Sequence, residues 1–416
     1  MKLEFGYGEG VQAVEIPKKN LLAVLAPQPM THERVGQEAV LYALEHPIGS
    51  ARLREIVKAG QKVAVITSDI SRPFPSYQVL PFVLKELYNG GVSREDITVV
   101  FALGSHRNHT EEEMIKLVGE SCYQQVKCVD SDMRDCIHLG ETAGGTPVDI
   151  TRTVAEADVK VCLGNIEFHY FAGYSGGAKA IMPGVSTKEA ISANHRMMTG
   201  KDACAGRLKD NPVRMDIEDA GEILGIDFIV NVVLDEHKQI VYCVAGQCQK
   251  AHRKGCSYLD KMYRRPIEKQ ADIVIVSPGG APKDATLYQA QKALENAKYA
   301  VREGGTIILI GACREGMGSE AFTRWLTQAP TADSMVEKIQ RKFELGGHKA
   351  AAIAMVLKKA GIDLVCELPD DFVRSIFMTP RPCAQAAFDD AMKRHGNEAG
   401  VIAMPYGTAT LPIVKA

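Results

Sequence analysis

Short, dense apolar runs rich in valine and isoleucine recur along the chain. They lie at Lys62–Ile66, Ile97–Leu103, Val159–Leu163, Phe228–Leu234, Ile273–Val276, Thr306–Ile310 and Val401–Met404. Runs that are apolar throughout, rather than alternating with polar residues, read as strands covered on both faces. Helical patterns lie between them. Over Ser76–Tyr88, Leu80, Val83, Leu84 and Leu87 recur at helical spacing. Asp284–Arg302 reads as a second helix, with Asp284 as its N-cap. This alternation predicts an α/β protein with mostly parallel sheets flanked by helices. The charged stretch KMYRRPIEKQ contains Pro266, and a fresh strand–turn–helix pattern begins at Ala271. It predicts two lobes, an N-terminal domain over 1–265 and a C-terminal domain over 266–416. The last segment is free in sequence terms to pack back on the first lobe. No internal repeat or low-complexity tract is present.

The polar residues are concentrated where these strands end. Lys62–Ile66 runs towards SDISRP, Ile97–Leu103 into GSHRNHT, and Val159–Leu163 into GNIEFHYFAGYSGGAK. In the second lobe, Ile273–Val276 leads to SPGGAPKD and Thr306–Ile310 to GACREGMG. Open parallel sheets bind ligands outside the carboxyl ends of their strands. The pattern therefore predicts an active site at those ends, in a cleft between the lobes.

Composition narrows the partners. With 49 basic and 51 acidic residues the formal charge is −2, and there is one tryptophan. That balance lacks the basic footprint of a nucleic-acid binder. No apolar run reaches the roughly 18 residues of a membrane span. The start, MKLEFGYGEG, lacks the apolar core of a secretory signal. The 11 cysteines form no CxxC pair and read as buried thiols of a reducing compartment. A cytoplasmic enzyme acting on a small molecule is expected.

Individual residues sharpen that expectation. His106 sits between a strand end and a helix start, where an imidazole can move protons near neutral pH; the competing reading is a hydrogen-bonded loop histidine. Thr110 and Glu113 form a capping box after it, and His109 reads as solvated. Arg72, ahead of Pro73, is held extended and suits a carboxylate or phosphate clamp, or else a surface ion pair. Asp69 either binds a sugar hydroxyl or orients Arg72. Gly173, Gly176 and Gly177 let backbone N–H groups approach an anion. Their spacing matches neither a Walker loop nor G-x-G-x-x-G. Lys179 then binds phosphate or, if desolvated, serves as a covalent attachment point. His169 follows its strand closely. His195 lies in a helix capped at Ser186. Tyr288, Gln289 and Lys292 lie near the start of the Asp284–Arg302 helix, facing either a ligand or solvent.

Taken together, SDISRP, GSHR, EFHYFAGYSGGAKAIMPGV, the histidine of ANHR and LYQAQK resemble the nickel-dependent lactate racemase family. His169 precedes Lys179 by ten residues and Lys179 precedes His195 by sixteen, as in that family's pattern. The resemblance implies a racemase or epimerase of a 2-hydroxyacid. It implies a nickel-pincer nucleotide, pyridinium-3,5-bisthiocarboxylic acid mononucleotide nickel, tethered covalently at Lys179. It assigns nickel ligation to His195 and acid/base work to His106 and His169, one for each face of the substrate carbon. Arg72, Tyr288, Gln289 and Lys292 would contact substrate. Asp69 and the Gly176–Gly177 turn would hold the cofactor's ribose phosphate. Cofactor-biosynthesis enzymes are implied as maturation partners.

The implied chemistry explains the pair of bases. The α-hydrogen leaves as hydride while one histidine takes the hydroxyl proton, and both return on the opposite face of a 2-keto acid. The chain departs from the family at Gly346–Ala350, GGHKA, where lactate racemase carries a tryptophan. His348 and Lys349 bring polar, cationic groups there, so a 2-hydroxyacid larger or more polar than lactate is expected. Two other classes compete. An NAD-type oxidoreductase would need a dinucleotide fingerprint that is missing. A non-catalytic binding protein for an anionic metabolite would not need the three histidines together.

Overall fold

The computed structural model describes residues 1–415. The chain forms two compact units, one of residues Met30–Lys261, the other of Met1–Pro29 with Met262 onward. The expected first lobe began at residue 1. Instead Leu21–Val24 pairs in parallel with Val401–Met404 as the edge strand of the C-terminal unit's sheet. The boundary after Lys261 falls four residues before the expected one. The final segment also stays in that unit, because Leu411–Val414 pairs with Arg264–Ile267.

The Met30–Lys261 unit is built on a six-stranded sheet. Its order is Ile240–Gly246, Phe228–Leu234, Val159–Asn165, Val63–Ser68, Ile97–Ala102 and Lys127–Asp130. All neighbours are parallel except Ile240–Gly246 with Phe228–Leu234. Four of these are the strands read from the apolar runs, with ends moved by at most two residues; Ile240–Gly246 and Lys127–Asp130 are additional. Val63, Val65, Val99, Val161, Val230 and Val232 enter one buried cluster. The helix Ser76–Asn89 covers it with Val79, Leu80, Val83, Leu84 and Leu87, each at most 2% exposed. The chain first builds outward from Val63–Ser68 through Ile97–Ala102 to Lys127–Asp130, then returns to the other side with Val159–Asn165. The strand order thus switches between Val63–Ser68 and Val159–Asn165, the place where such sheets hold ligands.

The other unit carries a second six-stranded parallel sheet. Its order is Thr379–Pro380, Ala360–Val365, Val301–Ile310, Ala271–Val276, Val401–Met404 and Leu21–Val24. Its helix Leu287–Ala300 is capped by Thr286, which accepts from the Gln289 N–H at 3.3 Å. Asp284, the expected cap, is buried instead and accepts from the N–H groups of Gly8 at 2.7 Å and Ala312 at 2.9 Å. A carboxylate that satisfies two backbone donors of neighbouring loops is worth more there than at a helix start. Among the described residues, no helix is long and apolar enough to cross a membrane.

Candidate active site

Three loops at the carboxyl edge of the Met30–Lys261 sheet carry the candidate residues. The first follows Val63–Ser68 and turns at once, the Arg72 N–H donating to the Asp69 carbonyl at 3.1 Å. Arg72 is exposed, and no hydrogen bond or ion pair of its guanidinium is found among the described residues. Asp69 is 4% exposed and does not orient Arg72. It accepts the His106 Nδ1–H at 2.6 Å on Oδ2 and the Ser71 hydroxyl at 2.9 Å on Oδ1. Burial pushes the Asp69 carboxyl up. The His106 hydrogen bond and charge, with Ser71 and Arg72, outweigh this and hold it below the usual carboxylate range. His106 is therefore hydrogen-bonded, as the competing loop-histidine reading also required, and its partner is a buried carboxylate. Its Nδ1 is committed to a carboxylate, which leaves Nε2 as the outward atom.

His109 overturns the solvated reading. Its side chain is 1% exposed. Its Nδ1–H donates to Asp130 Oδ1 at 2.6 Å, its backbone N–H to Asp130 Oδ2 at 2.8 Å, and its Nε2 accepts the Ile70 N–H at 3.1 Å. It ties the Asp69–Arg72 turn to the strand end at Asp130. The capping box predicted beside it is present: Thr110 Oγ1 accepts from the Glu113 N–H at 3.3 Å, and Glu113 accepts the Thr110 N–H at 2.9 Å. A concavity of about 540 Å³ opens beside His106, lined by Gly104, Asp130, Ser131, Met133 and Arg134.

The third loop follows Val159–Asn165 and folds into a small hairpin, Phe168–His169 against Gly173–Tyr174. The hairpin turns His169 Nδ1 onto the Ala172 N–H at 3.2 Å. An acceptor at Nδ1 places the proton of the neutral ring on Nε2. Burial, then the charges of Lys179, Arg72, His195 and Arg214, hold the His169 pKa well below the ordinary histidine value. Phe171 stands between two of these groups, edge-on to His169 at 4.5 Å and to His195 at 4.9 Å. Burial, then Arg72 and Arg214, likewise hold the Lys179 amine well below the ordinary lysine value. His195 lies in the helix Lys188–Arg196 and is 8% exposed. The cap of that helix is Thr187 rather than Ser186, which is buried and donates to the Ile181 carbonyl at 2.9 Å.

Two features of this loop left no trace in sequence patterns. Arg214, fully buried, donates to the carbonyls of Ala172 at 3.1 Å, Gly176 at 3.5 Å and Tyr174. It fixes the loop from beneath. A lone arginine in an amphipathic helix gives no signal of such a role. The glycines also do something other than expected. The Gly177 N–H already donates to Asn231 Oδ1 at 2.7 Å, so it is not offered to an anion. A Cβ on Gly176 would come 2.7 Å from Asn231 Oδ1, and one on Gly177 3.1 Å from the His252 ring. Both also have φ above +60° or at it, +76° and +60°, the region that favours glycine. They allow the turn to lie tight on Asn231 and His252.

The remaining candidates lie on the other unit. On the Leu287–Ala300 helix, Gln289 and Lys292 are exposed on one face and Tyr288 is half-buried. Lys349 is 8% exposed, and its ammonium lies 3.6 Å from the Tyr288 ring centre and donates to the Tyr288 carbonyl at 3.0 Å. His348 is equally buried. Its Nδ1 accepts the Gly346 N–H at 3.1 Å and its ring stacks on Phe343. Trp325 packs beneath Gly347, where a Cβ would come within 2.3 Å of the indole.

Comparison with known proteins agrees along the whole chain. Residues 7–206 match the lactate racemase N-terminal domain family, and residues 267–411 the lactate racemase C-terminal domain family. The lactate racemase of Thermoanaerobacterium thermosaccharolyticum is 31% identical over 98% of this chain and 98% of its own length. That of Lactiplantibacillus plantarum is 31% identical over 98% and 99%. The solved lactate racemase apoprotein from T. thermosaccharolyticum superposes with a TM-score of 0.90, covering 100% of both chains. A protein from Thermotoga maritima, 19% identical, shares the fold with a TM-score of 0.62 over 87% of this chain and 96% of its own.

Proposed function

The chain belongs to the lactate racemase family, and from that premise we propose that it inverts C2 of a 2-hydroxyacid larger or more polar than lactate, with His106 and His169 as the acid/base pair. It is an isomerase, a racemase. The histidine assignment is carried by one observation, their opposite wiring. His106 gives its Nδ1–H to Asp69, so the neutral ring meets substrate with a lone pair on Nε2. His169 receives the Ala172 N–H on Nδ1, so the neutral ring meets substrate with Nε2–H.

The two enantiomers present their hydroxyls on opposite sides of C2, which calls for a proton-handling group on each face. In one direction His106 Nε2 takes the hydroxyl proton, and the Asp69 carboxylate stabilises the imidazolium that forms. His169 Nε2–H donates a hydrogen bond to the keto oxygen; to protonate the new alkoxide the ring first takes a solvent proton at Nδ1, releasing the Ala172 N–H, and then gives up its Nε2 proton and is left neutral. The reverse direction retraces these steps, and solvent removes the proton left on His106. Arg72 receives the substrate carboxylate. Tyr288, Gln289, Lys292 and His348 are the proposed substrate groups of their own unit. The cationic Lys349 beside Tyr288 supports a substrate with a further anionic or hydroxylated group.

The residues of the Met30–Lys261 unit fit a nickel-pincer nucleotide. An amine must be neutral to be acylated, and the surroundings of Lys179 favour that form. His195 is buried with Nδ1 hydrogen-bonded to Asn194 at 3.0 Å, the arrangement of a histidine that ligates through Nε2. Among the described residues no three His, Cys, Asp or Glu side chains are grouped to hold a metal, so the other donors must belong to the group itself. Sulfur with imidazole suits nickel. Lys179 would carry the tether, His195 would ligate nickel, and the turn at Gly176–Gly177 would flank the nucleotide. When bound, the group supplies a reversible hydride acceptor at C2.

The test is racemisation of lactate, malate, phenyllactate and gluconate by protein matured with the cofactor-biosynthesis enzymes. A substrate other than lactate is expected to turn over fastest; lactate ranking first overturns the substrate reading. His106→Ala and His169→Ala are each expected to lose at least about 100-fold in turnover while intact mass still shows the adduct on Lys179. Unchanged turnover in either variant overturns the acid/base assignment.

A further inference from the structure

Behind His195 lies a chain of buried polar groups whose direction can be read link by link. The Thr146 N–H donates to Thr142 Oγ1 at 3.0 Å. With that oxygen already accepting, the Thr142 hydroxyl donates to Asp216 Oδ1. Asp216 Oδ2 accepts the Asn194 side-chain amide at 2.7 Å. The second hydrogen of that amide goes to the Val213 carbonyl at 3.3 Å. Both partners of Asn194 Nδ2 are pure acceptors, so the amide cannot be the other way round. Asn194 Oδ1 is therefore the atom that faces His195 Nδ1, 3.0 Å away. An amide oxygen only accepts, so Nδ1 must carry the hydrogen and Nε2 the lone pair.

The chain is closed to water. Asn194 and Thr146 are 0% exposed, Asp216 4% and Thr142 5%. An unpaired donor or acceptor there would cost a desolvation penalty, so each link holds the next. Its elements differ as well: Thr142 and Thr146 lie in one turn, Asp216 in the helix Pro212–Leu224, and Asn194 with His195 in Lys188–Arg196. Three segments of the fold converge to set one proton. Neither Asn194 nor Asp216 is placed to reach a reacting atom itself.

We propose that Asn194 and Asp216 are positioning residues that lock His195 in the Nδ1–H tautomer and so keep Nε2 as a metal donor. The inference rests on the reading of His195 as the nickel ligand, but its first test does not. In protein free of cofactor and labelled with ¹⁵N-histidine, long-range ¹H–¹⁵N correlation spectra read the tautomer directly. His195, assigned by its loss in His195→Gln, is expected to show a protonated Nδ1 and an unprotonated Nε2. A protonated Nε2, or two tautomers in exchange, overturns the proposal.

Asp216→Asn supplies the second test. Its amide can donate towards residue 194, which frees the Asn194 side chain to turn its own NH₂ towards His195. The Nε2–H tautomer is then expected to appear, and nickel in the matured variant to be lost to a chelator about 10- to 100-fold faster. A fold-only role for Asp216 would lower the melting temperature without moving the tautomer, and that outcome also overturns the proposal. If the tautomer stands in the native protein but His195→Gln holds nickel as firmly as the parent, the ligand assignment fails and the tautomer lock does not.

Discussion

Replacing Asp69 by Asn separates two roles that the sequence left open for this carboxylate, holding the cofactor and orienting another side chain. In the structure Asp69 is 4% exposed and joined to His106 by a 2.6 Å bond. A hydrogen bond to a buried charged group contributes about 1.5–3 kcal/mol. Most of that should be felt when His106 becomes an imidazolium, because the charge of Asp69 then faces an opposite charge. At 1.36 kcal/mol per decade, kcat/KM should fall about 10- to 150-fold. The Asn side chain also offers an NH₂ that can turn towards Nδ1 and trap the wrong tautomer, which pushes the loss to the upper end. The assay is racemisation of the preferred 2-hydroxyacid with intact mass measured on the same sample. The sign with pH follows from the depressed pKa of Asp69. A carboxylate with a lowered folded pKa stays ionised throughout the range above its ordinary value near 3.8, so its contribution is lost only at more acid pH. The variant should therefore show its deficit undiminished from about pH 5 upward. Normal cofactor adduct with lost turnover supports orientation of His106. Lost adduct, or turnover within about threefold of the parent, a change of under about 0.7 kcal/mol, refutes it.

Three further outcomes follow from buried groups of the same unit. Arg214→Met leaves the Ala172, Tyr174 and Gly176 carbonyls without their cation, Glu218 keeping Arg253; at about 3–5 kcal/mol for breaking such a buried set, the melting temperature should drop by roughly 6–20 °C, and a drop under about 2 °C would contradict the account. His109→Leu takes the imidazole from the Asp130 carboxylate, 7% exposed, leaving it the residue-109 backbone N–H, and frees the Ile70 N–H, so a loss of about 3 kcal/mol in urea unfolding is expected, with near-neutral stability as the opposing result. The folded pKa values of His169 and His252 lie below the ordinary histidine value: below about pH 6.5 the unfolded chain takes up protons that the folded one refuses. The melting temperature of unloaded protein should accordingly fall on acidification through that range, less steeply in His169→Gln, and an unchanged slope in that variant would count against a buried neutral ring.

Much of the site was legible because its residues sit where strands end. Lys62–Ile66 and Ile97–Leu103 are recognisable as covered strands from their unbroken Val and Ile content. A polar residue directly after such a strand has nowhere to go but the carboxyl edge of the sheet. That places Asp69, His106 and His169 on one edge without coordinates. What the pattern could not supply is partnership. His109 read as solvated because a histidine in a polar loop carries no mark of the Asp130 carboxylate, 21 residues on. Asp284 read as a cap because its position before a helical pattern is right for one, and only the approach of Gly8 and Ala312 gives it other work. The glycine turn read as an anion cradle because spacing shows that the backbone can come close, not to what. Asn231 and His252 decide that.

By itself, then, the sequence determined the α/β class, the parallel sheets, the sheet edge on which the candidate residues lie and the family to which the chain belongs. All of these follow from local periodicity or from a motif's spacing, quantities carried by neighbours along the chain. Tertiary structure alone decided that residues 1–29 complete the C-terminal sheet, that Asp69 serves His106, and that Arg214 and Asn231 hold the loop of His169 and Lys179. Those are contacts between residues tens to hundreds of positions apart. Their strength comes from shared burial, where a polar group must find a partner, and no local pattern states which partner it finds.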